Sequence, residues 1–214
     1  YEGIDIGGET VGLITYMRTD SLHLAGEAIA EIRDTIEQRF GKDNLPEAPR
    51  VFKNKSKNAQ EAHEAIRPTS VKHVPQDIKD HLTPDQFALY ELIWKRTMAC
   101  QMIHATLDTV SVELGCGHDE NGRNSFRANG STIKFPGFMS VYMESSDDSK
   151  NDDSKEKLLP ELTEGEQVDL LEIRNEQHFT EPPPRFTEAS LVKTLEEYVI
   201  RRPSTYASII STLV

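Results

Sequence analysis

Cysteine is nearly absent from this 214-residue chain: only Cys100 and Cys116 occur. Two thiols without paired spacing exclude a disulfide scaffold and a zinc ribbon, and both are expected to be buried free thiols in a reducing cytosol. The sequons at Asn54 and Asn129 carry no meaning in such a compartment. Long apolar runs are missing too. Nothing approaches the ~18 consecutive apolar residues of a membrane span, and no signal peptide is present, so neither a membrane nor an export route is expected. The hydrophobic fraction, 36%, is low for one tight globule. It fits an elongated chain, or a piece whose partner surfaces lie elsewhere. The chain opens at Tyr1 without Met and stops at Val214 inside an apolar helical pattern, so both ends are read as cuts through a longer protein.

An excess of positive charge is also lacking, the formal net charge being −12. Taken as a sum this argues against nucleic acid, but distribution matters more than the total. Residues 144–169 hold ten acids against three lysines, a local balance of −7. Residues 1–103 hold sixteen acids and thirteen bases, only −3. Much of the acidity therefore sits in one segment. Within it, residues 144–157 are Ser, Asp, Lys and Asn with almost nothing apolar, which predicts a solvated loop.

What is present divides into three stretches. Residues 1–18 read as extended, with a turn at Gly7-Gly8 and strand formers from Val11 to Met17. Ile29, Ile32, Ile36 and Phe40 recur at helical spacing, predicting a helix over 20–40 that Asp20 or Ser21 caps and Gly41 ends. A short helix is expected over Ala59–Ile66, stopped by Arg67-Pro68. Thr83-Pro84 opens another, with Gln86 completing a capping box and Phe87, Tyr90, Ile93, Trp94 and Met98 on its buried side. The character changes near residue 104. Val110, Val112 and Leu114 alternate with Ser111 and Glu113 as in a half-buried strand, and Asn129-Gly130 between apolar flanks predicts a hairpin turn. A strand is expected at Gln167–Arg174, a stiff connector at Pro182-Pro183-Pro184, and helices near 187–198 and 204–214. The fold class is α+β: a mainly helical domain, 1–103, then an antiparallel β-rich segment, 104–185, then the start of a second helical domain, 186–214.

Three segments carry possible chemistry. In Gly12-Leu13-Ile14-Thr15-Tyr16-Met17-Arg18-Thr19-Asp20-Ser21, extended backbone turns Tyr16 and Arg18 to one face. A phenol is a weak nucleophile at neutral pH, but it can attack a phosphodiester where a cation stabilises the developing charge. A strand tyrosine beside a surface arginine explains the same residues and is the commoner case. In Gln60-Glu61-Ala62-His63-Glu64-Ala65-Ile66-Arg67-Pro68, helical spacing puts Gln60, His63 and Arg67 on one side as a candidate phosphate clamp, or simply as a solvated turn. A zinc protease is excluded, because Arg67 stands where the second histidine would be. In Arg201-Arg202-Pro203-Ser204-Thr205-Tyr206-Ala207, a helix start beside two arginines suits an anion, or is ordinary capping.

Jointly, and in this order, these blocks resemble the type IA DNA topoisomerases, and within them the bacterial topoisomerase I group rather than the topoisomerase III-like one. The run Phe179-Thr180-Glu181-Pro182-Pro183-Pro184-Arg185-Phe186-Thr187-Glu188-Ala189-Ser190-Leu191-Val192 shares the resemblance, which is weakest over 115–165. The resemblance implies an ATP-independent enzyme that cleaves one DNA strand through a 5′-phosphotyrosine link, passes a strand and religates, relaxing negative supercoils. It implies that Tyr16 is the nucleophile, that Arg18 neutralises the scissile phosphate, and that His63 belongs to the same catalytic site. Arg67, Arg202, Ser204 and Thr205 would contact single-stranded DNA. Residues 1–103 would be the mobile lid, 104–185 part of the arch, and 186–214 the return to the base.

The same resemblance implies Mg²⁺ bound outside this chain, on a toprim domain with an Asp-x-Asp pair that is missing here, as the zinc-ribbon modules are. Those domains and underwound DNA are the expected partners, in the cytoplasm at the nucleoid, and the chain alone is expected to be inactive. Where the family reads Leu-Gly-Ile-Gly before Arg-Pro-Ser-Thr, this sequence has Tyr198-Val199-Ile200-Arg201. The competing reading is a non-catalytic module that binds single-stranded DNA or another protein.

Overall fold

The computed structural model describes residues 2–17, 21–52, 63–116, 124–143, 162–180, 182–198, 200 and 205–213. Several expected features lie outside them: Arg18, Asp20, Gln60, the 144–157 loop, Val199, Arg201, Arg202 and Ser204. The α+β class holds, as helices and small antiparallel sheets, and the chain forms two compact units. One comprises Tyr1–Thr106 with Lys134–Glu144; the other comprises Leu107–Ile133 with Ser145–Val214.

The first unit begins with a hairpin of β1 (Ile4–Ile6) and β2 (Glu9–Val11), Ile4 facing Val11 and Ile6 facing Glu9. Gly7 and Gly8 take φ of 65° and 90°, the mirror-image turn whose twist suits two short antiparallel strands. Helix α1 (Gly26–Phe40) follows and ends at Gly41, as its sequence implies. Its start is six residues later than expected. The Ser21 hydroxyl accepts the His23 N–H at 3.2 Å, closing a local turn instead of capping a helix. The N-cap is Ala25, which has no side chain able to cap.

Helix α2 (Pro84–Gln101) opens with the expected capping box: Thr83 Oγ1 accepts the Gln86 N–H at 3.3 Å, and Gln86 Oε1 accepts the Thr83 N–H at 3.0 Å. Tyr90, Trp94 and Met98 recur one turn apart and are buried, while Phe87 and Ile93 are only half-buried. They pack on Ile32 and Ile36 of α1, together with Leu13, Val71, Val74, Ile78 and Met102, in one core. The polar groups of Trp94, Tyr90 and Gln101 inside it are paired, as buried groups generally are. The Trp94 indole N–H donates to the Val71 carbonyl at 2.9 Å, and the Tyr90 hydroxyl donates to the His73 carbonyl at 2.6 Å. Burial, and then the Glu31 charge, push the Tyr90 phenol well above its ordinary pKa, so it stays a neutral donor. Gln101, fully buried, pairs both ways with the Arg50 backbone at 2.9 and 3.1 Å.

Strands β3 (Thr106–Cys116) and β4 (Asn124–Phe135) form a second two-stranded sheet. Ser111 bonds Asn129 and Glu113 bonds Arg127, so one strand advances two residues as the other retreats two, the mark of antiparallel pairing. The expected turn at Asn129-Gly130 is therefore a correction. The long partner strand keeps pairing past these residues, and β4 runs straight through them. Asn-Gly permits a tight turn; it does not impose one. Beyond β4 the chain returns through a short 3₁₀ turn, Gly137–Ser140, where the Phe138 N–H donates to the Ile103 carbonyl at 3.0 Å. Gly137 has φ 49°, and a Cβ there would lie 2.6 Å from the carbonyl oxygens of both Ile103 and His104.

In the second unit, Gln167–Arg174 is exposed and irregular, not the expected strand. No strand among the described residues pairs with it, and an unpaired strand leaves its backbone groups to water. Helices α3 (Glu188–Glu197) and α4 (Tyr206–Leu213) agree with the sequence, α3 opening on a reciprocal Thr187–Ser190 cap at 3.1 and 2.8 Å. Of the two free thiols, Cys100 is half-buried, and its burial, against Arg96 and Arg50, raises its pKa. Cys116 is exposed, contrary to expectation, because its strand has no covering layer among the described residues. No helix among the described residues is long and apolar enough to cross a membrane.

Gly137→Ala should lower the unfolding free energy by about 2–4 kcal/mol, combining left-handed backbone strain with a steric collision. Gly7→Ala, also at positive φ but with open space around it, should cost only about 1–2 kcal/mol. Urea denaturation of the two variants checks this, and equal losses would mean that the collision relaxes freely.

Candidate active site

Tyr16 lies just beyond a second, shorter chain crossing. Residues 12–15 run antiparallel to 67–69, with Ile14 bridged to Pro68. The Thr15 N–H donates to the Arg67 carbonyl and the Thr69 N–H to the Leu13 carbonyl, both at 2.9 Å. Thr15 strengthens this crossing from its side chain. Its hydroxyl donates to the Ala65 carbonyl at 2.8 Å and accepts the Arg67 N–H at 3.0 Å. Because side chains alternate along extended backbone, Thr15 facing residues 65–67 turns Tyr16 away from them. The Tyr16 side chain is accordingly out in solvent, the residue being 56% exposed.

His63, at the start of the opposing segment, comes back beside it. The Tyr16 and His63 ring centroids are 6.2 Å apart, with the rings tilted by 40°. Forty-seven positions separate the two in sequence, and the crossing brings them together. The expected helix over Ala59–Ile66 is corrected in its described part: residues 63–66 are not helical. The reason lies in the backbone donors. The Ala65 N–H goes to the His23 carbonyl at 2.8 Å and the Arg67 N–H goes to Thr15, so neither is left for a helical carbonyl.

Arg67, expected to meet DNA, is committed within the chain. Its Nε and Nη2 donate to the two Glu64 carboxylate oxygens at 2.7 and 3.1 Å, a bidentate pair. Its Nη1 donates to the Pro68 and Thr69 carbonyls at 2.7 and 3.2 Å. The side chain is only 13% exposed. Glu64 also accepts the Ala25 N–H at 2.8 Å, the N-cap donor that in a capping box is met by an acidic side chain three residues on. Burial works against the Glu64 charge, but the Arg67 and Ala25 hydrogen bonds outweigh it, and the charges of Arg67 and His23 help, so its pKa is lowered.

Glu64 and Thr15 were not singled out from the sequence. Their signals were present: Glu64 lies inside the His63–Pro68 block three residues before Arg67, and Thr15 directly precedes Tyr16. Thr205 belongs to the second unit, where its carbonyl accepts the Ser208 hydroxyl at 2.8 Å at the start of α4. Arg18, Arg202 and Ser204 lie outside the described residues. Among the described residues, no three His, Cys, Asp or Glu side chains gather to hold a metal ion.

A family model described as DNA topoisomerase matches residues 1–214. The DNA topoisomerase 1 of Rickettsia bellii (strain RML369-C) is 55% identical over 213 residues, 100% of this chain and 26% of that protein. The DNA topoisomerase 1 of Xylella fastidiosa (strain Temecula1 / ATCC 700964) is 54% identical over 215 residues, with the same coverage of 100% and 26%. Full-length topoisomerase I from Thermotoga maritima superposes with a TM-score of 0.78 at 34% identity, covering 100% of this chain and 32% of that one. The chain thus spans about a quarter of the length of the curated relatives it matches.

The lowered Glu64 pKa sets a pH signature. Glu64 stabilises the fold fully above about pH 4.5, its ordinary value, and that contribution is lost as pH falls through its depressed folded value. Glu64→Gln should cost about 1–3 kcal/mol at neutral pH, and its deficit should shrink on acidification below about pH 4.5. Unfolding free energies measured from neutral to acid pH test this; parallel curves for the two proteins would remove Glu64 from the acid limb.

Proposed function

This chain belongs to the bacterial type IA DNA topoisomerases, and from that premise we propose that it carries the nucleophile of their strand cleavage, Tyr16. The observation that supports this reading is an exposed phenol, held on a pinned extended segment, with a histidine ring 6.2 Å away. A core tyrosine would be enclosed on every side, whereas Tyr16 is 56% exposed.

In the proposed reaction the Tyr16 oxygen attacks a backbone phosphorus of single-stranded DNA. The Tyr–O–P bond forms as the P–O3′ bond breaks, and the phenolic proton is balanced by one gained on the leaving 3′ oxygen. Arg18 neutralises the phosphate charge, and His63 stands beside the reacting phosphate. Religation reverses both bond changes. One phosphodiester replaces another, so ATP is not needed and underwound DNA supplies the drive. Arg67 serves the site from within the chain, by holding the 63–69 segment, while Arg202, Ser204 and Thr205 contribute to the single-strand groove.

Residues 1–103 form the lid, 104–185 part of the arch and 186–214 the start of the base. The described residues gather no three His, Cys, Asp or Glu side chains that could hold Mg²⁺. The reading places that ion on carboxylates of a toprim domain elsewhere in the protein, which acts on DNA in the cytoplasm, alongside zinc-ribbon modules.

In the full-length enzyme, Tyr16→Phe should abolish the covalent protein–DNA adduct on denaturing electrophoresis while leaving oligonucleotide binding within a few-fold. Arg18→Ala should slow cleavage by about 10²–10³-fold, the loss that follows removal of one preorganised charge-stabilising donor. An adduct formed by the Phe variant would place the nucleophile elsewhere. The isolated chain should relax no supercoiled plasmid, and its single-strand binding should weaken as salt rises.

A further inference from the structure

The Glu64 side chain ties the start of α1 to the segment that faces Tyr16. Its carboxylate takes the Ala25 N–H at the start of α1 and both fork nitrogens of Arg67. Through the Arg67 backbone it is linked to Thr15, the residue before Tyr16, and along its own chain it adjoins His63. Within the 63–69 segment only Pro68 is buried, so apolar packing pins the segment at that one point and leaves its His63 end to the polar contacts.

We propose that Glu64 is the positioning residue of the cleavage site, its carboxylate holding the 63–69 segment in the one register that sets His63 beside Tyr16. This rests on reading Tyr16 as the nucleophile. Replacing Glu64 alters a specific geometry. Gln keeps an acceptor for Ala25 but presents an NH₂ group to the Arg67 fork. Ala removes both contacts and leaves a largely buried guanidinium without its carboxylate. Arg67→Lys keeps the charge and loses the bidentate fork.

The test uses the full-length enzyme with Glu64→Ala, Glu64→Gln and Arg67→Lys. Single-turnover adduct formation is measured with a saturating single-stranded oligonucleotide, binding with the same strand in a Tyr16→Phe background, and folding by thermal unfolding. Adduct formation per folded molecule should fall about 10–100-fold for Glu64→Ala and Arg67→Lys, the scale of an ångström-level misplacement, and less for Glu64→Gln. Binding should change no more than about threefold. Combining Glu64→Ala with Arg67→Lys should be no worse than the more damaging of the two single variants, since both break one unit. Wild-type cleavage rates in the folded variants, or a loss confined to binding or to the folded fraction, would overturn the proposal. Should Glu64→Ala not fold, Glu64→Gln and Arg67→Lys decide by the same rates. Persistence of the adduct in Tyr16→Phe would instead sink the nucleophile reading, so the two failures are told apart.

Discussion

The candidate site depends on the antiparallel crossing of residues 12–15 with 67–69. Four backbone and side-chain groups around Thr15 and Thr69 close it, at 2.7–3.0 Å. Without it Tyr16 and His63 would sit on unrelated loops. With it, strand alternation turns Thr15 inward and Tyr16 outward, and the same few hydrogen bonds define both the anchor and the exposed phenol.

Stability and geometry come from different interactions here. Full burial of a side chain such as Ile36 or Met98 contributes about 1.5–3 kcal/mol, and ten such residues form the core of the first unit. A hydrogen bond contributes about 0.5–1.5 kcal/mol. The apolar contacts between α1 and α2 therefore hold the unit together, while the Glu64–Arg67–Ala25 network decides where one edge of it lies. Burying a charge pair is costly unless every donor and acceptor is met. Arg67 comes near this condition, each of its three nitrogens donating to Glu64, Pro68 or Thr69.

On the proposed reading of Tyr16, such an arrangement suits a nucleophile that must be held without being enclosed. A phenol needs a phosphate and cationic donors within hydrogen-bond reach, so its surroundings must remain open to DNA. The hydrogen bonds of Thr15 and Glu64 hold the segments behind Tyr16, while Tyr16 itself is exposed. Elsewhere the chain leaves large apolar side chains uncovered, Leu171 and Phe179 among them, in keeping with a chain that spans about a quarter of its relatives' length.

The sequence by itself determined what local rules govern: the Gly7-Gly8 turn, the Thr83–Gln86 and Thr187–Ser190 caps, the burial of Tyr90, Trp94 and Met98, and the motif blocks that mark the family. Each follows from residues within one turn of a helix or a few steps of a strand. Where partners are distant, local rules failed. Asn129-Gly130 reads as a turn until a long partner strand keeps it extended. Residues 63–66 read as a helix until the Ala65 and Arg67 N–H groups are taken by His23 and Thr15, more than forty positions away. Asp20 and Ser21 read as caps, whereas the acceptor at the start of α1 comes from Glu64, 39 residues on. Only tertiary structure could decide these, because a backbone donor binds whichever acceptor the folded chain places before it, and sequence spacing does not record that choice.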